Sequence, residues 1–136
     1  ICLTDLYATS LAAADTGSKT TRLADAMGGE DSVDLLPLLE TGDARGLEAR
    51  EGIVHHSLDG MFAIRVGDWK LIEGLGSGGF TAPKRAAPSN AGPTVQLYDL
   101  ATDPGETRNL AKTHPDEVAR LQAMLDRVRA APRSVR

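Results

Sequence analysis

Between Ile53 and Ile72 the chain reads IVHHSLDGMFAIRVGDWKLI, three short apolar runs parted by Leu58-Asp59-Gly60 and by Gly67-Asp68. Breaks this short permit only tight reversals, and Asp-Gly is a strong hairpin signal because both residues tolerate positive φ. The runs Ile53 to Ser57, Met61 to Val66 and WKLIE are therefore expected to form an antiparallel meander. Side chains alternate across a strand, so Phe62, Ile64 and Val66 share one face, and Trp69 and Leu71 share one face of the next strand. That apolar face needs a cover. After a segment dominated by Gly, Ser, Ala and Pro (Gly74 to Gly92), VQLYDL supplies a fourth strand. His114-Pro115-Asp116-Glu117 then reads as a helix start, with Pro in the first turn and acids at the positive end of the dipole. Val118, Leu121, Leu125 and Val128 mark its apolar face. Neither element buries its apolar side alone, so the expected fold is α+β, a four-stranded antiparallel sheet packed against a C-terminal helix.

Upstream the pattern differs. Leu3, Leu6, Ser10 and Ala14, flanked by Tyr7 and Leu11, predict a helix from about Asp5 to Ala14 with Thr4 or Asp5 as its cap. Asp15 to Ala49 is rich in Gly, Asp, Ser and Thr and reads as a long ordered loop. Its apolar run VDLLPLLE contains Pro37, which favours a short helical turn or an extended stretch. A chain of 136 residues is one domain's worth. Its first residues lack an initiator Met and a basic leader and read as helix, so the chain is expected to start inside a fold.

Several function classes are disfavoured. No segment approaches the roughly 18 consecutive apolar residues of a membrane span. Net charge is −4, with acids gathered between Glu30 and Glu51, so no broad nucleic-acid surface is expected. The single cysteine, Cys2, allows no intrachain disulfide and no cysteine-based zinc site, and with no histidine nearby it reads as a packed thiol.

The chemistry-bearing candidates are few. Adjacent strand residues point to opposite faces, so His55 and His56 cannot readily hold one metal ion together. One reading makes them one packed and one solvated strand residue. The other has one of them, at the hairpin end beside Ser57, line a site and donate to an anionic group. His114 is expected to cap the last helix. GLGSGGFTAPKR (Gly74 to Arg85) is either a flexible loop or a ligand lip whose backbone N–H groups, Lys84 and Arg85 attract an anion. It lacks the Lys-Ser/Thr pair and following helix of a phosphate loop. Asp103 and Glu106 read as turn residues rather than paired catalytic carboxylates.

The run LYDLATDPGETRNLA closely resembles a pattern near the end of type I sulfatases of the arylsulfatase family, within the alkaline phosphatase-like superfamily. That pattern is Leu-Tyr-Asp-Leu, two residues, Asp-Pro, one residue, Glu, two residues, Asn-Leu-Ala. FAIRVGDWKLI resembles the family's preceding strand pair, DSVDLLPLLE its connector, and LTDLYAT the helix closing its large domain.

The resemblance implies that residues 1–50 are the end of a large α/β domain with its connector, and that 51–136 are the C-terminal small domain. It implies the C-terminal portion of an arylsulfatase-like sulfuric ester hydrolase, inactive alone. The alternative is a non-catalytic binding or assembly module derived from the small domain. Family members use a formylglycine made from a Cys/Ser-x-Pro/Ala-x-Arg motif, and a calcium site. The motif does not occur here, so no catalytic residue, metal ligand or cofactor is expected in this segment; calcium and formylglycine are implied for the full-length enzyme. The family's counterparts of VHHS and GLGSGGF approach the active-site mouth. That makes His55, His56, Ser57 and Ser77, with Lys84, the candidate substrate contacts. The implied partners are the missing N-terminal catalytic domain and a sulfate-ester substrate, and the implied location is periplasmic or secreted; the apolar first helix separately favours self-association.

Overall fold

The computed structural model describes residues 2–14, 31–43 and 50–131. Its elements are α1 (Asp5–Ala14), α2 (Leu36–Thr41), β1 (Ile53–His56), β2 (Phe62–Val66), β3 (Trp69–Ile72), β4 (Gln96–Asp99) and α3 (Pro115–Ala130). They fall into two compact units, one holding residues 1–50 with 131–136, the other 51–130.

In the second unit the strands run antiparallel in the order β1-β2-β3-β4, as the turn chemistry requires. The Gly60 amide donates to the Ser57 carbonyl at 3.0 Å, and the Ser57 amide to the Met61 carbonyl at 2.9 Å. Of the Asp-Gly pair only Gly60 adopts a positive φ, +74°, giving a three-residue hairpin closed by a glycine bulge. The next turn is tighter. Gly67, at φ +59°, occupies its first central position between the paired residues Val66 and Trp69.

Register places Val54, Ile64, Leu71 and Leu97 in one row across the sheet. Ile64, Leu71 and Leu97 are fully buried and form the core with Leu121 and Leu125 of α3 and Ala111. Burying each such aliphatic side chain stabilises by about 1.5–3 kcal/mol. The helix begins at Pro115, with Asp116 and Glu117 in its first turn and Arg127 and Arg129 in its last, matching its dipole at both ends. His114 stands just before it, and its carbonyl accepts the Val118 amide at 3.2 Å. The expected capping by its side chain is not what the ring does. It packs on Trp69, with centroids 5.4 Å apart, and bonds the Thr113 hydroxyl at 2.9 Å.

The polar side chains between Asp99 and Ala111 build scaffold. The Asp99 carboxylate accepts the Ala101 amide and the Thr102 hydroxyl, and Asp103 accepts the amides of Thr107 and Arg108. Asn109 lies along the outer edge of β4. Its Oδ1 accepts the Leu97 amide at 3.0 Å, its Nδ2 donates to the Val95 carbonyl at 3.0 Å, and the Leu110 amide donates to the Leu97 carbonyl at 2.8 Å. A side chain and one residue of backbone thus satisfy what a fifth strand would otherwise satisfy. Glu106 sits in the left-handed region at φ +53° and pairs with Lys70 at 2.5 Å.

In the first unit VDLLPLLE resolves into the short helix α2, with Pro37 in its first turn and Gly42 closing it at φ +70°. Asp5 is only 2% exposed. Its carboxylate accepts the Cys2 amide at 2.8 Å and the Val33 amide at 3.2 Å, and meets the Arg50 guanidinium at 2.9 and 2.6 Å. Burial alone would raise its pKa. The hydrogen bond from Arg50 and those from the two amides outweigh burial and hold it below the usual carboxylate range. Leu3 and Leu6 of this unit are exposed. The rest of the expected loop, residues 15–30 and 44–49, lies outside the described residues.

Candidate functional site

The two histidines end β1, and the sheet register assigns each to a different environment. His55 pairs with Ala63, Ala63 with Ile72 and Ile72 with Gln96, a row on the face away from α3. The neighbouring row on that face carries Arg65, Lys70 and Tyr98. His56 lies on the other face opposite Phe62, with ring centroids 5.9 Å apart. Arg129 of α3 stands 4.3 Å over the Phe62 ring. Glu73 accepts both guanidinium nitrogens of Arg129 and also the Gln122 amide at 2.5 Å. The expectation of one packed and one solvated histidine fails, because both are exposed. The reason is position: their rows lie at the end of the sheet, beyond the Ile64–Leu71–Leu97 core, and β1 is an edge strand.

His55 nevertheless feels its surroundings. Partial desolvation of its ring against the sheet, followed by the charge of Lys70, lowers its pKa below 6.5. The shift favours the neutral ring, which donates one N–H while accepting at the other nitrogen. His56 bonds the Ser57 carbonyl through Nδ1 at 2.9 Å.

The glycine segment is knitted to this end of the sheet. The amides of Ser77 and Gly78 donate to the carbonyls of Pro83 and Lys84 at 3.0 and 2.7 Å, and the Ala86 amide donates to Leu75. The Ser77 hydroxyl donates to the Thr81 carbonyl and accepts the Gly79 amide. A narrow loop results, with Phe80 at its apex. Gly78, at φ +60°, presses on the hairpin so closely that an added Cβ would lie 2.8 Å from the Ser57 Cβ. Its carbonyl accepts the Asp59 amide, and Arg85 donates to the Asp59 carbonyl at 2.7 Å. At the loop's base Gln96 donates to the carbonyls of Gly74 and Gly76, and its Oε1 accepts the Tyr98 hydroxyl at 2.8 Å.

Of the five candidates, Ser57 and Ser77 are thus brought together through Gly78. Lys84 joins them by its backbone, while its side chain is exposed. Both serine hydroxyls take part in building turns, since Ser57 Oγ accepts the Met61 amide at 3.1 Å. His55 shares its row with Gln96, which grips the loop, whereas His56 is on the helix face. Lys70, Gln96 and Arg129 were missed in the sequence. Strand alternation would have placed the first two beside His55, but nothing in the local pattern signals Arg129.

Local charge is one-sided. From Gly74 to Tyr98 the only ionised side chains are Lys84 and Arg85, in a chain whose net charge is −4. Among the described residues neither forms an ion pair with a carboxylate. Phe80 at the loop's apex is 90% exposed, and Leu58 at the hairpin tip is 67% exposed. The described residues contain no group of three or more His, Cys, Asp or Glu able to hold a metal ion. No described helix is long and apolar enough to cross a membrane.

No protein-family model matches the chain. Over 82 residues, 60% of the chain, it is 38% identical to an N-acetylgalactosamine-6-O-sulfatase of Bacteroides thetaiotaomicron, a stretch that is 16% of that protein. It is also similar to a solved structure, labelled "sulf", from a Bacteroides thetaiotaomicron locus described as orchestrating the metabolism of multiple glycosaminoglycans. The TM-score is 0.57 at 29% identity, covering 83% of this chain and 24% of the other. The chain therefore spans less than a quarter of both relatives' length, and over most of its own length it is similar to part of a sulfatase.

Proposed function

We propose that the chain is the C-terminal portion of a sulfate-ester hydrolase and supplies the substrate side of its site. The observation carrying this reading is the coincidence of a sulfatase likeness over 83% of the chain with a hairpin tip and glycine loop locked into one rim. In this reading His55 donates a hydrogen bond to the substrate from the face away from α3, with Ser57 and Ser77 at the adjoining rim, His56 contributes from the opposite face of β1, and Lys84 adds positive charge. A hydrogen bond to a charged group is worth about 1.5–3 kcal/mol, enough to orient a sulfated sugar.

The chain's own residues do not fit the calcium and formylglycine that its motifs bring to mind. It has no Cys/Ser-x-Pro/Ala-x-Arg sequence, and its described residues offer no metal cluster. The nucleophile and metal are assigned to the remainder of the enzyme, and the chain alone is inactive.

The test is a titration of isotope-labelled chain with N-acetylgalactosamine 6-sulfate, followed by NMR, with a parallel hydrolysis assay. Amide shifts confined to His55–Ser57 and Ser77–Lys84, without turnover, are expected. A folded spectrum that does not respond removes the substrate role, and turnover removes the assignment of catalysis elsewhere. A second reading, a non-catalytic assembly module, is favoured by the exposure of Leu3 (84%) and Leu6 (54%) in the first unit. Light scattering distinguishes it by a defined dimer that persists on dilution.

A further inference from the structure

The glycine loop is anchored at two places, and the anchors differ in kind. Where it meets the hairpin, the Gly78 carbonyl accepts the Asp59 amide, one backbone group on another. At its base a side chain does the holding. Gln96 Nε2 donates to the Gly74 carbonyl at 2.9 Å and to the Gly76 carbonyl at 3.0 Å, and no backbone amide among the described residues donates to either. Gly74 and Gly76 stand at φ +136° and +96°, where the backbone has many conformations open to it and supplies little restraint of its own. The facing strand of the loop is close, since a Cβ on Gly76 would lie 2.7 Å from the Pro83 carbonyl oxygen. A small movement at the base is therefore passed on to the rest of the loop.

The Gln96 amide can hold two carbonyls only one way round. Reversed, it would set its own oxygen against two others. The Tyr98 hydroxyl opposes that reversal by donating to Gln96 Oε1 at 2.8 Å, so both N–H groups and the oxygen of the amide are engaged. Tyr98 is buried. Desolvation, followed by the charges of Glu106 and Asp103, raises its pKa and keeps the phenol a donor.

We infer that Gln96 and Tyr98 are positioning residues for substrate binding: Tyr98 orients the Gln96 amide, and the amide fixes the base of the glycine loop, so that the Ser77 turn is set against the hairpin tip before a ligand arrives. The inference rests on the reading of this rim as the substrate side of a sulfatase. It adds that the rim is preorganised by two side chains that do not touch the ligand. Apparent affinity then scales with the fraction of chains whose loop already holds the binding geometry.

The experiment compares the labelled chain with Tyr98→Phe, Gln96→Glu and Val118→Ala, by amide hydrogen exchange and by titration with N-acetylgalactosamine 6-sulfate. Tyr98→Phe keeps the ring and removes only the hydroxyl. Gln96→Glu keeps the acceptor for Tyr98 but replaces both donors with a carboxylate oxygen. Val118 packs on the core from α3, on the opposite face of the sheet, so Val118→Ala lowers stability without touching the loop. Exchange at Ser77, Gly78 and Ala86, whose amides close the loop, should accelerate relative to Leu71 in the first two variants and not in the third. The Kd should rise about two- to tenfold in Tyr98→Phe, the range of one neutral hydrogen bond, and further in Gln96→Glu. It should keep the parent value in Val118→Ala. Loop exchange unchanged in Tyr98→Phe and Gln96→Glu, or an equal loss of affinity in Val118→Ala, overturns the positioning role. Parent affinity in both loop variants also overturns it, while leaving the substrate role of the rim intact. A folded parent chain that does not respond to the sugar overturns both.

Discussion

The Gly78 carbonyl accepts the Asp59 amide at 2.9 Å, and this bond ties the glycine loop to the tip of the β1–β2 hairpin. The approach depends on Gly78 lacking a side chain and holding φ at +60°. Gly78→Ala should therefore destabilise the second unit by about 1–3 kcal/mol, through backbone strain and collision with Ser57. Gly60 has a similar φ of +74° but open space around it, so Gly60→Ala should carry the strain alone, about 1–2 kcal/mol. Urea denaturation of the two variants checks the order; equal losses would mean that the contact with Ser57 is unimportant.

Asn109→Ala should lower stability by about 1–3 kcal/mol, because it deprives the Leu97 and Ala111 amides of their shared acceptor. Hydrogen exchange at Leu97 should accelerate more than at Leu71 in the sheet interior. Asn109→Asp keeps the acceptor but sets a negative oxygen against the Val95 carbonyl, so it should not restore the parent stability.

His55 should titrate below 6.5 in an NMR pH series. Desolvation is the first cause and Lys70 the second, so Lys70→Gln should raise the midpoint without returning it fully to 6.5. A depressed histidine favours the folded state most above its unfolded pKa. That contribution is lost as pH falls from about 6.5 through the folded value. A midpoint unmoved in Lys70→Gln would mean that the two side chains do not sense each other across the sheet face.

Glu73 behaves as a depressed acid. Hydrogen bonds from Arg129 lower its pKa from 4.5, burial opposes them, and Gln122 adds to the lowering. Its contribution to stability is complete above about 4.5 and disappears as pH falls through the lower folded value. Arg129→Gln should move the Glu73 midpoint up and bring acid unfolding to a higher pH. The same substitution removes the cation over Phe62, so the His56 ring resonances should change with it.

The sheet was legible because its turns are short and its alternation strict. Gly60 and Gly67 fix two reversals, and the row Ile64, Leu71 and Leu97 follows from period two. The helix over Pro115–Ala130 announces itself through Pro115 and the spacing of Leu121 and Leu125. Long-range polar geometry was not legible. No local pattern tells that Gln96 holds Gly74 and Gly76, or that Arg129 reaches Phe62 from the far end of α3, because those contacts exist only after sheet and helix have packed. His114 shows the same limit: its position before Pro115 marked a helix start, but the ring's choice of Trp69 depended on β3. The exposure of His55 and His56 was equally hidden, since alternation gives a direction for each ring and not the extent of the core beneath it.

Asn109 and Leu110 have a consequence for assembly. They occupy the outer side of β4, while the outer side of β1 pairs with no other strand among the described residues. Among the described residues the sheet thus has one open side, where a strand from a peptide or from a second copy can add, while addition at β4 would first have to unseat Asn109.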